Sequence, residues 1–384
     1  MLNISRFFNA AKGNYFIFGP RGTGKSTFLS EYYKEAVLVN LLDPEALRSY
    51  QASPNRLKEL VLAHSQQKTF IIDEVQKAPA LLSVIHELIE QKRGWQFILT
   101  GSSARKLKQT GVDLLGGRAQ VKYMHPFMAS ELKNHFDFSK SLQLGMLPLV
   151  LNTDNPKDHL KAYIALYIRE EVMIEGLVRR VEQFNLFLEA VSLSQASPLN
   201  YSNIAADCGI SNKTVENYVN ILEDLLIAVR LPVFSKRAKR SLMKTSKFYY
   251  FDAGVFQSIR PKGPLDDISA INGLGLETLV LQHLRAWIDY SDLEGKLYYW
   301  QTRSGLEVDF VIYGECGFYA IEVKAAKDVK PRDLRGLYEF QKDYPEAKLL
   351  ILYMGKERRK INDILCMPIP EFLMQLVPNK MIDS

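Results

Sequence analysis

Three cysteines in 384 residues, at positions 208, 316 and 366, are too few and too widely spaced for a disulfide framework or a paired-thiol zinc motif. Such a chain suits a reducing compartment. The six histidines are equally scattered and show no metal-binding spacing. No apolar run is long enough to span a bilayer, and the first 18 residues, MLNISRFFNAAKGNYFIF, lack a charged leader with an apolar core and a small-residue cleavage site. These absences predict a cytoplasmic protein with no membrane partner. Acidic residues are missing from one stretch, 225–251, where the charged residues are Arg230, Lys236, Arg237, Lys239, Arg240, Lys244 and Lys247. The net charge of +6 is mild over the whole chain, so the location of positive residues matters more than their total.

What is present is enough apolar material, 47% of residues, to give two or three domains a packed core each. Residues 19–27 read GPRGTGKST, after the apolar run 14–18 and before a segment that can continue as a helix. That is strand, glycine loop and helix start, the context of a phosphate-binding loop. Gly19, Gly22 and Gly24 let successive N–H groups turn toward one anion, Thr23 lies within the loop, and the helix start adds a positive dipole end. Lys25 is placed to reach the β- and γ-phosphates of ATP, Ser26 to coordinate Mg2+, and Thr27 to support that shell.

Residues 36–42, AVLVNLL, read as a buried-type strand, and 44–67 as mainly helical with a break at Pro54. Residues 68–74, KTFIIDE, end a strand in two carboxylates. Asp73 is expected to hold Mg2+ through water, and Glu74 to orient and deprotonate the attacking water. A helix over 79–93 precedes the strand 95–100, whose polar tip offers Ser102 and Ser103 as γ-phosphate sensors, or simply as a turn. After a glycine pair, Arg118 is a candidate to reach the γ-phosphate of a neighbouring copy in a homo-oligomer; Arg105 competes with it.

The order GPRGTGKST, IIDEVQ, ILTGSSA, LLGGRA, with Pro126 in MHPF, resembles the N-terminal half of a prokaryotic family of AAA+-like ATPases. In that family the ATPase is joined to a C-terminal domain with a restriction-endonuclease-like core. The resemblance implies a parallel sheet flanked by helices, with nucleotide at the C-terminal ends of its strands. One departure is the lack of a clear second-sensor arginine in a helical lid.

Residues 160–180 form a long helical pattern with charges of both signs. Residues 201–226, YSNIAADCGISNKTVENYVNILEDLL, then read as a helix-turn-helix. Ser202 is expected to cap the first helix, Gly209 to make the turn, and Ser211 to cap a second helix whose apolar positions Val215, Val219, Leu222 and Leu226 lie on one face. Ser211, Asn212, Lys213, Thr214 and Asn217 would face outward, residue types that contact phosphates and base edges of DNA. The basic stretch that follows, Lys236, Arg237, Lys239 and Arg240 included, reads as a DNA-binding wing. The competing reading is a protein-docking module.

In the last third, a helix over 272–287 carries Glu277, a strand over 297–301 follows, and after a turn come a pair of strands, 306–313 (LEVDFVIY) and 318–325 (FYAIEVKA). Glu322 and Lys324 share a face of the second strand with Ala320. Facing Asp309 on the first strand, they would make a metal-dependent phosphodiesterase site. Asp309 and Glu322 would bind Mg2+, Glu277 would complete the shell, and Lys324 would orient the attacking water. This D, then ExK, pattern resembles the PD-(D/E)xK nuclease superfamily, with the leading proline absent. A structural salt bridge, or a nuclease fold kept as a DNA clamp, is the other reading. The predicted architecture is thus α/β: an AAA+-like P-loop ATPase domain over 1–140, a helical connector and winged helix-turn-helix over 141–265, and a nuclease-like domain over 266–384. ATP and Mg2+ are the expected cofactors.

Overall fold

The computed structural model describes residues 4–64, 66–102, 115–168, 181–235 and 245–382. The chain divides into two compact units. One comprises Phe8–His125 with Asp224–Leu226; the other comprises Met1–Phe7, Pro126–Glu223 and Ile227–Ser384.

In the first unit the apolar runs YFIF, TFIID and QFILTG become strands β1 (Tyr15–Phe18), β3 (Thr69–Asp73) and β4 (Gln96–Gly101), each covered on both faces. Runs buried at all but their first residue or throughout suit the interior of a parallel sheet, and with β2 (Val37–Asn40) and β5 (Gln120–Tyr123) they form one, in the order β2-β3-β4-β1-β5. Strand β4 therefore lies between β1 and β3. Strand β2 departs from its buried-type reading: it is an edge strand, and Leu38 is 58% exposed. Helix α1 (Lys25–Tyr32) follows the glycine loop, and α2 (Pro44–Ala52) and α3 (Arg56–Ala63) flank the break at Pro54. Helix α4 (Leu81–Glu90) buries Leu81, Leu82, Ile85 and Leu88 in a core with Phe16, Phe70, Ile72 and Leu99.

In the second unit, the helices Tyr201–Cys208 and Asn212–Asp224 adjoin a three-stranded antiparallel sheet. Its strands β6 (Ser197–Pro198), β7 (Ala228–Leu231) and β8 (Lys247–Tyr250) run in the order β6-β8-β7. The 23-residue helix Ile268–Tyr290 leads to a mixed sheet. Strands β9 (Gly295–Gln301), β10 (Glu307–Gly314) and β11 (Gly317–Lys324) form an antiparallel meander. Beyond the helix Arg335–Asp343, β12 (Lys348–Tyr353) pairs parallel with β11. A hairpin of β13 (Arg359–Ile361) and β14 (Ile364–Pro368) then completes the order β13-β14-β12-β11-β10-β9. Leu337 and Phe340 of the helix Arg335–Asp343 pack on Trp300, Val311, Ala320 and Ile351. Phe234, beyond β7, enters the same core, and its N–H donates to the Tyr299 carbonyl at 2.7 Å.

Candidate nucleotide site and a buried acidic centre

The glycine loop leaves β1 at the C-terminal edge of the sheet. Gly22 and Gly24 have φ of 83° and 90°, left-handed conformations that favour glycine, and Gly24 is the cap from which α1 starts. Gly19 is required for a different reason: a Cβ there would lie 2.4 Å from the Met124 carbonyl oxygen. The Thr23 hydroxyl donates to Pro20 O at 2.9 Å and fixes the turn. Lys25 is buried, and its ammonium donates to Gly19 O at 2.7 Å and Pro20 O at 3.3 Å. Ser26 and Thr27 are exposed at the start of α1.

Three strand tips carry the rest of the site. The Ser26 hydroxyl donates to Asp73 Oδ2 at 3.0 Å, and Thr100, at the tip of β4, donates to Asp73 Oδ1. The Thr100 oxygen also accepts from the Glu74 backbone N–H at 3.0 Å. Glu74 has φ of 61°, a conformation uncommon outside glycine, so this bond holds a strained turn. The buried Gln76 side chain donates to Glu74 Oε2 and, at 3.3 Å, to the Ser102 hydroxyl. The structure thus brings Lys25, Ser26, Asp73, Glu74 and Ser102 to one edge of the sheet. It adds Thr100 and Gln76, which the sequence reading did not name. The cue for Gln76 was its place two residues after the carboxylate pair; its partner Ser102, just past the end of β4, is 26 positions away. Ser26 and Asp73 are hard oxygen donors placed side by side, so they fit a magnesium ion.

Arg118 lies elsewhere. It precedes β5, whose first residue pairs with Tyr15 at the start of β1, the sheet edge opposite the glycine loop. Its guanidinium pairs with Glu90, and its Nη1 donates to Gly116 O at 3.3 Å. Arg118 is therefore no part of this chain's own phosphate site. Ser103 and Arg105 lie outside the described residues.

In the helix pair of the second unit, the first helix is capped by Asn200, which accepts from Asn203 N at 3.1 Å, rather than by Ser202. Ser202 instead accepts from Asn212 Nδ2 at 3.1 Å. Gly209 makes the turn at φ of 63°. The Ser211 side chain accepts from Thr214 N at 3.1 Å, as a cap should, and lies 2.9 Å from the Thr214 hydroxyl. Lys213 and Asn217 are exposed, with Glu216 between them. Two members of the basic stretch are not available to phosphates. Arg230 pairs with Glu223 and donates to Asn220 Oδ1 at 2.8 Å, and Lys247 is 1% exposed. Lys236, Arg237, Lys239, Arg240 and Lys244 lie outside the described residues.

Lys247 opens a second constellation. Strand β8 carries its ammonium among three carboxylates: Glu307, paired directly, Glu277 Oε1 at 3.5 Å, and Asp309 Oδ1 at 3.7 Å. The Tyr299 ring lies 5.2 Å away, and the Tyr249 hydroxyl donates to Glu277. Asp309 Oδ2 accepts from Val323 N at 2.8 Å, and Lys324 donates to Glu322 Oε1 at 2.5 Å. The sequence-predicted residues Glu277, Asp309, Glu322 and Lys324 thus occupy one buried region. Glu307 and Lys247 join them.

Charge in this region is held at a cost in desolvation. Burial first, then Asp309, pushes the Glu322 carboxyl well above the usual carboxylate range, and pushes Glu277 up to about 7. Burial alone would lower the Lys247 pKa; Glu277, Asp309 and Glu307 outweigh it and leave the ammonium strongly favoured. Glu322 Oε2 is buried with no hydrogen-bond partner. Among the described residues, no three of His, Cys, Asp and Glu are arranged to hold a metal ion. Glu277 and Asp309 do converge, but upon an ammonium instead of an open cation position. As a magnesium site they do not fit while Lys247 stands there.

Among the described residues, no helix is long and apolar enough to cross a membrane. The comparisons divide the chain in three. Residues 11–133 match an AAA domain, residues 135–266 the domain of unknown function DUF8612, and residues 272–372 the domain of unknown function DUF4143. An uncharacterized protein of Mycobacterium tuberculosis is 23% identical over 368 residues, covering 92% of this chain and 80% of its own. One from Haemophilus influenzae is 22% identical over 94% of each chain. Among solved structures, AMPPCP-bound DnaA from Aquifex aeolicus is 14% identical with a TM-score of 0.27, covering 56% of this chain and 82% of that chain. Likeness that slight bears on neither partner nor activity. The chain therefore carries an N-terminal AAA-type P-loop ATPase domain, followed by segments similar to two domains of unknown function.

Proposed function

We propose that this chain is a magnesium-dependent ATP hydrolase whose nucleotide cycle governs a DNA-binding unit that holds nucleic acid without cutting it. The observation that carries the hydrolase reading is the joined set at three neighbouring strand tips: Lys25 on the loop, Ser26 on Asp73, and Glu74 held by Thr100 and Gln76. Lys25 and the first N–H groups of α1 would bind the phosphates, and Ser102 would sense the terminal one. Ser26 and Asp73 would hold magnesium, which when bound neutralises charge on phosphoryl oxygens. Glu74 would orient the attacking water and take its proton.

The DNA-binding half rests on the exposed start of the helix Asn212–Asp224, with Asn212, Lys213 and Asn217, and on the basic residues between β7 and β8. The antiparallel sheet beside the helix pair supports a winged helix-turn-helix. A neighbouring copy that received Arg118 at its γ-phosphate would make the hydrolase a homo-oligomer.

A second reading, magnesium-dependent phosphodiester cleavage in a PD-(D/E)xK domain, is favoured by the meeting of Asp309, Glu322 and Lys324 on adjacent strands. Lys247 weighs against it, which is why holding without cutting takes the lead.

The test is phosphate release from ATP by wild type, Lys25→Ala and Glu74→Gln, alongside cleavage of linear and circular DNA. Turnover in wild type alone, with intact DNA, is the expected result. Undiminished hydrolysis by Lys25→Ala would sink the site assignment, and magnesium-dependent cutting lost in Asp309→Ala would promote the second reading.

A further inference from the structure

We infer that Lys247 is the resident cation of the acidic centre, an ammonium delivered by strand β8 into the position where Glu277, Glu307 and Asp309 would otherwise collect a divalent metal ion. Buried like-charged carboxylates cannot all ionise without a cation among them. In this centre the cation belongs to the chain itself: Lys247 is 1% exposed, pairs with Glu307, and lies 3.5 Å from Glu277 and 3.7 Å from Asp309. Tyr299 closes the centre with its ring 5.2 Å from the ammonium, and Tyr249 takes up Glu277 through its hydroxyl. Asp309 spends its other oxygen on the Val323 N–H, and Lys324 pairs with Glu322. Two ammonium groups thus serve four carboxylates. A magnesium ion, which demands near-ideal octahedral oxygen geometry, would have to expel Lys247 from its pairs.

This assignment concerns the acidic centre alone and stands apart from the hydrolase reading. Its consequence is specific to β8: the strand that follows the basic segment is tied to β10 and to the helix Ile268–Tyr290 by charge as well as by packing. Removing the ammonium should vacate a cation site lined by carboxylates.

The experiment is a Mn2+ titration of the nucleotide-free full chain, read by electron paramagnetic resonance of the unbound ion. It compares wild type, Asp309→Asn, Lys247→Met and the double substitution, with Lys247→Gln as a second neutral variant should the methionine protein fail to fold. Wild type and Asp309→Asn should bind Mn2+ alike, because any shared weak binding at Ser26 and Asp73 is common to both. A neutral residue at 247 should add one site at least tenfold tighter, lost in the double variant. A wild-type Mn2+ site removed by Asp309→Asn overturns the inference, and so does a folded Lys247 variant that gains no site. ATP hydrolysis by the same wild-type preparation reads the other proposal separately, since its absence would sink the hydrolase and leave this result standing.

Discussion

Ser26 and Asp73, 47 positions apart in the chain, meet through a 3.0 Å hydrogen bond that joins the helix after the glycine loop to the end of the carboxylate strand one strand removed from β1. Thr100 completes the link from the strand between them, donating to Asp73 and accepting from the Glu74 N–H. Because Thr100 is fully buried, Thr100→Val keeps its shape while stranding an acceptor on Asp73 and the Glu74 donor. A stranded buried polar group costs about 1–3 kcal/mol. Urea denaturation should show a loss in that range, and kcat for ATP should fall with it. An unchanged midpoint would mean that the threonine holds neither partner.

Gln76 is the residue through which Ser102 and Glu74 share one amide. If that amide positions the base, Gln76→Ala should lower kcat about tenfold while leaving KM for ATP nearly unchanged, less than the roughly 10²–10⁴-fold that a general base itself contributes. Steady-state kinetics with direct nucleotide-binding measurements separate the two quantities. A rise in KM at constant kcat would instead place Gln76 in ground-state binding.

On the helix pair, Lys213 is exposed while Arg230 and Lys247 are consumed by internal carboxylates. Lys213→Ala should therefore weaken DNA binding and reduce the slope of log affinity against log salt by about 1, the expectation for one lost phosphate contact. Arg230→Ala should act mainly on stability. Fluorescence anisotropy across a salt series is the measurement, and an unaltered slope for Lys213→Ala would remove this helix from the interface.

The parts of the fold that were legible in the sequence are those whose cause is local. Uninterrupted apolar runs ending in glycine or in Asp73-Glu74 specify buried parallel strands and their chemistry, and Gly209 with Ser211 specifies the turn between two helices. What escaped depends on neighbours far along the chain. The run around β2 has a buried strand's composition, yet its place at the sheet edge is a property of the strand order. Lys247 looked like one more positive charge in a basic stretch, because its carboxylate partners lie 30, 60 and 62 positions onward, at Glu277, Glu307 and Asp309. The β13–β14 hairpin did have a local signal, Asn362-Asp363, with Asn362 at φ of 51°, between the short basic segment Arg359–Ile361 and the apolar run Ile364–Pro368.

Asp252 supplies a prediction about pH. Its carboxylate accepts from Met146 N at 2.8 Å, Gly254 N at 2.9 Å and Val255 N at 3.1 Å, capping the helix Ala253–Ile259 and tying it to residue 146. Burial outweighs these donors and pushes the carboxyl up to about 6. An unfolded aspartate titrates near 3.9, so between about 4 and 6 the folded chain holds a proton that the unfolded chain has lost. The resulting stabilisation is complete below about pH 4 and disappears as pH rises through about 6. Two units correspond to roughly 3 kcal/mol, an upper figure for this single group. Asp252→Asn cannot titrate, and its amide N–H groups would face the Met146 donor, so the variant should be weaker at every pH. The gap in unfolding free energy between wild type and Asp252→Asn should nonetheless narrow as pH rises from 4.5 to 7.5, because only wild type loses the proton-linked contribution. Paired denaturation curves at those two pH values decide it, and a gap that widens with pH would show that Asp252 is already ionised in the fold at the lower value.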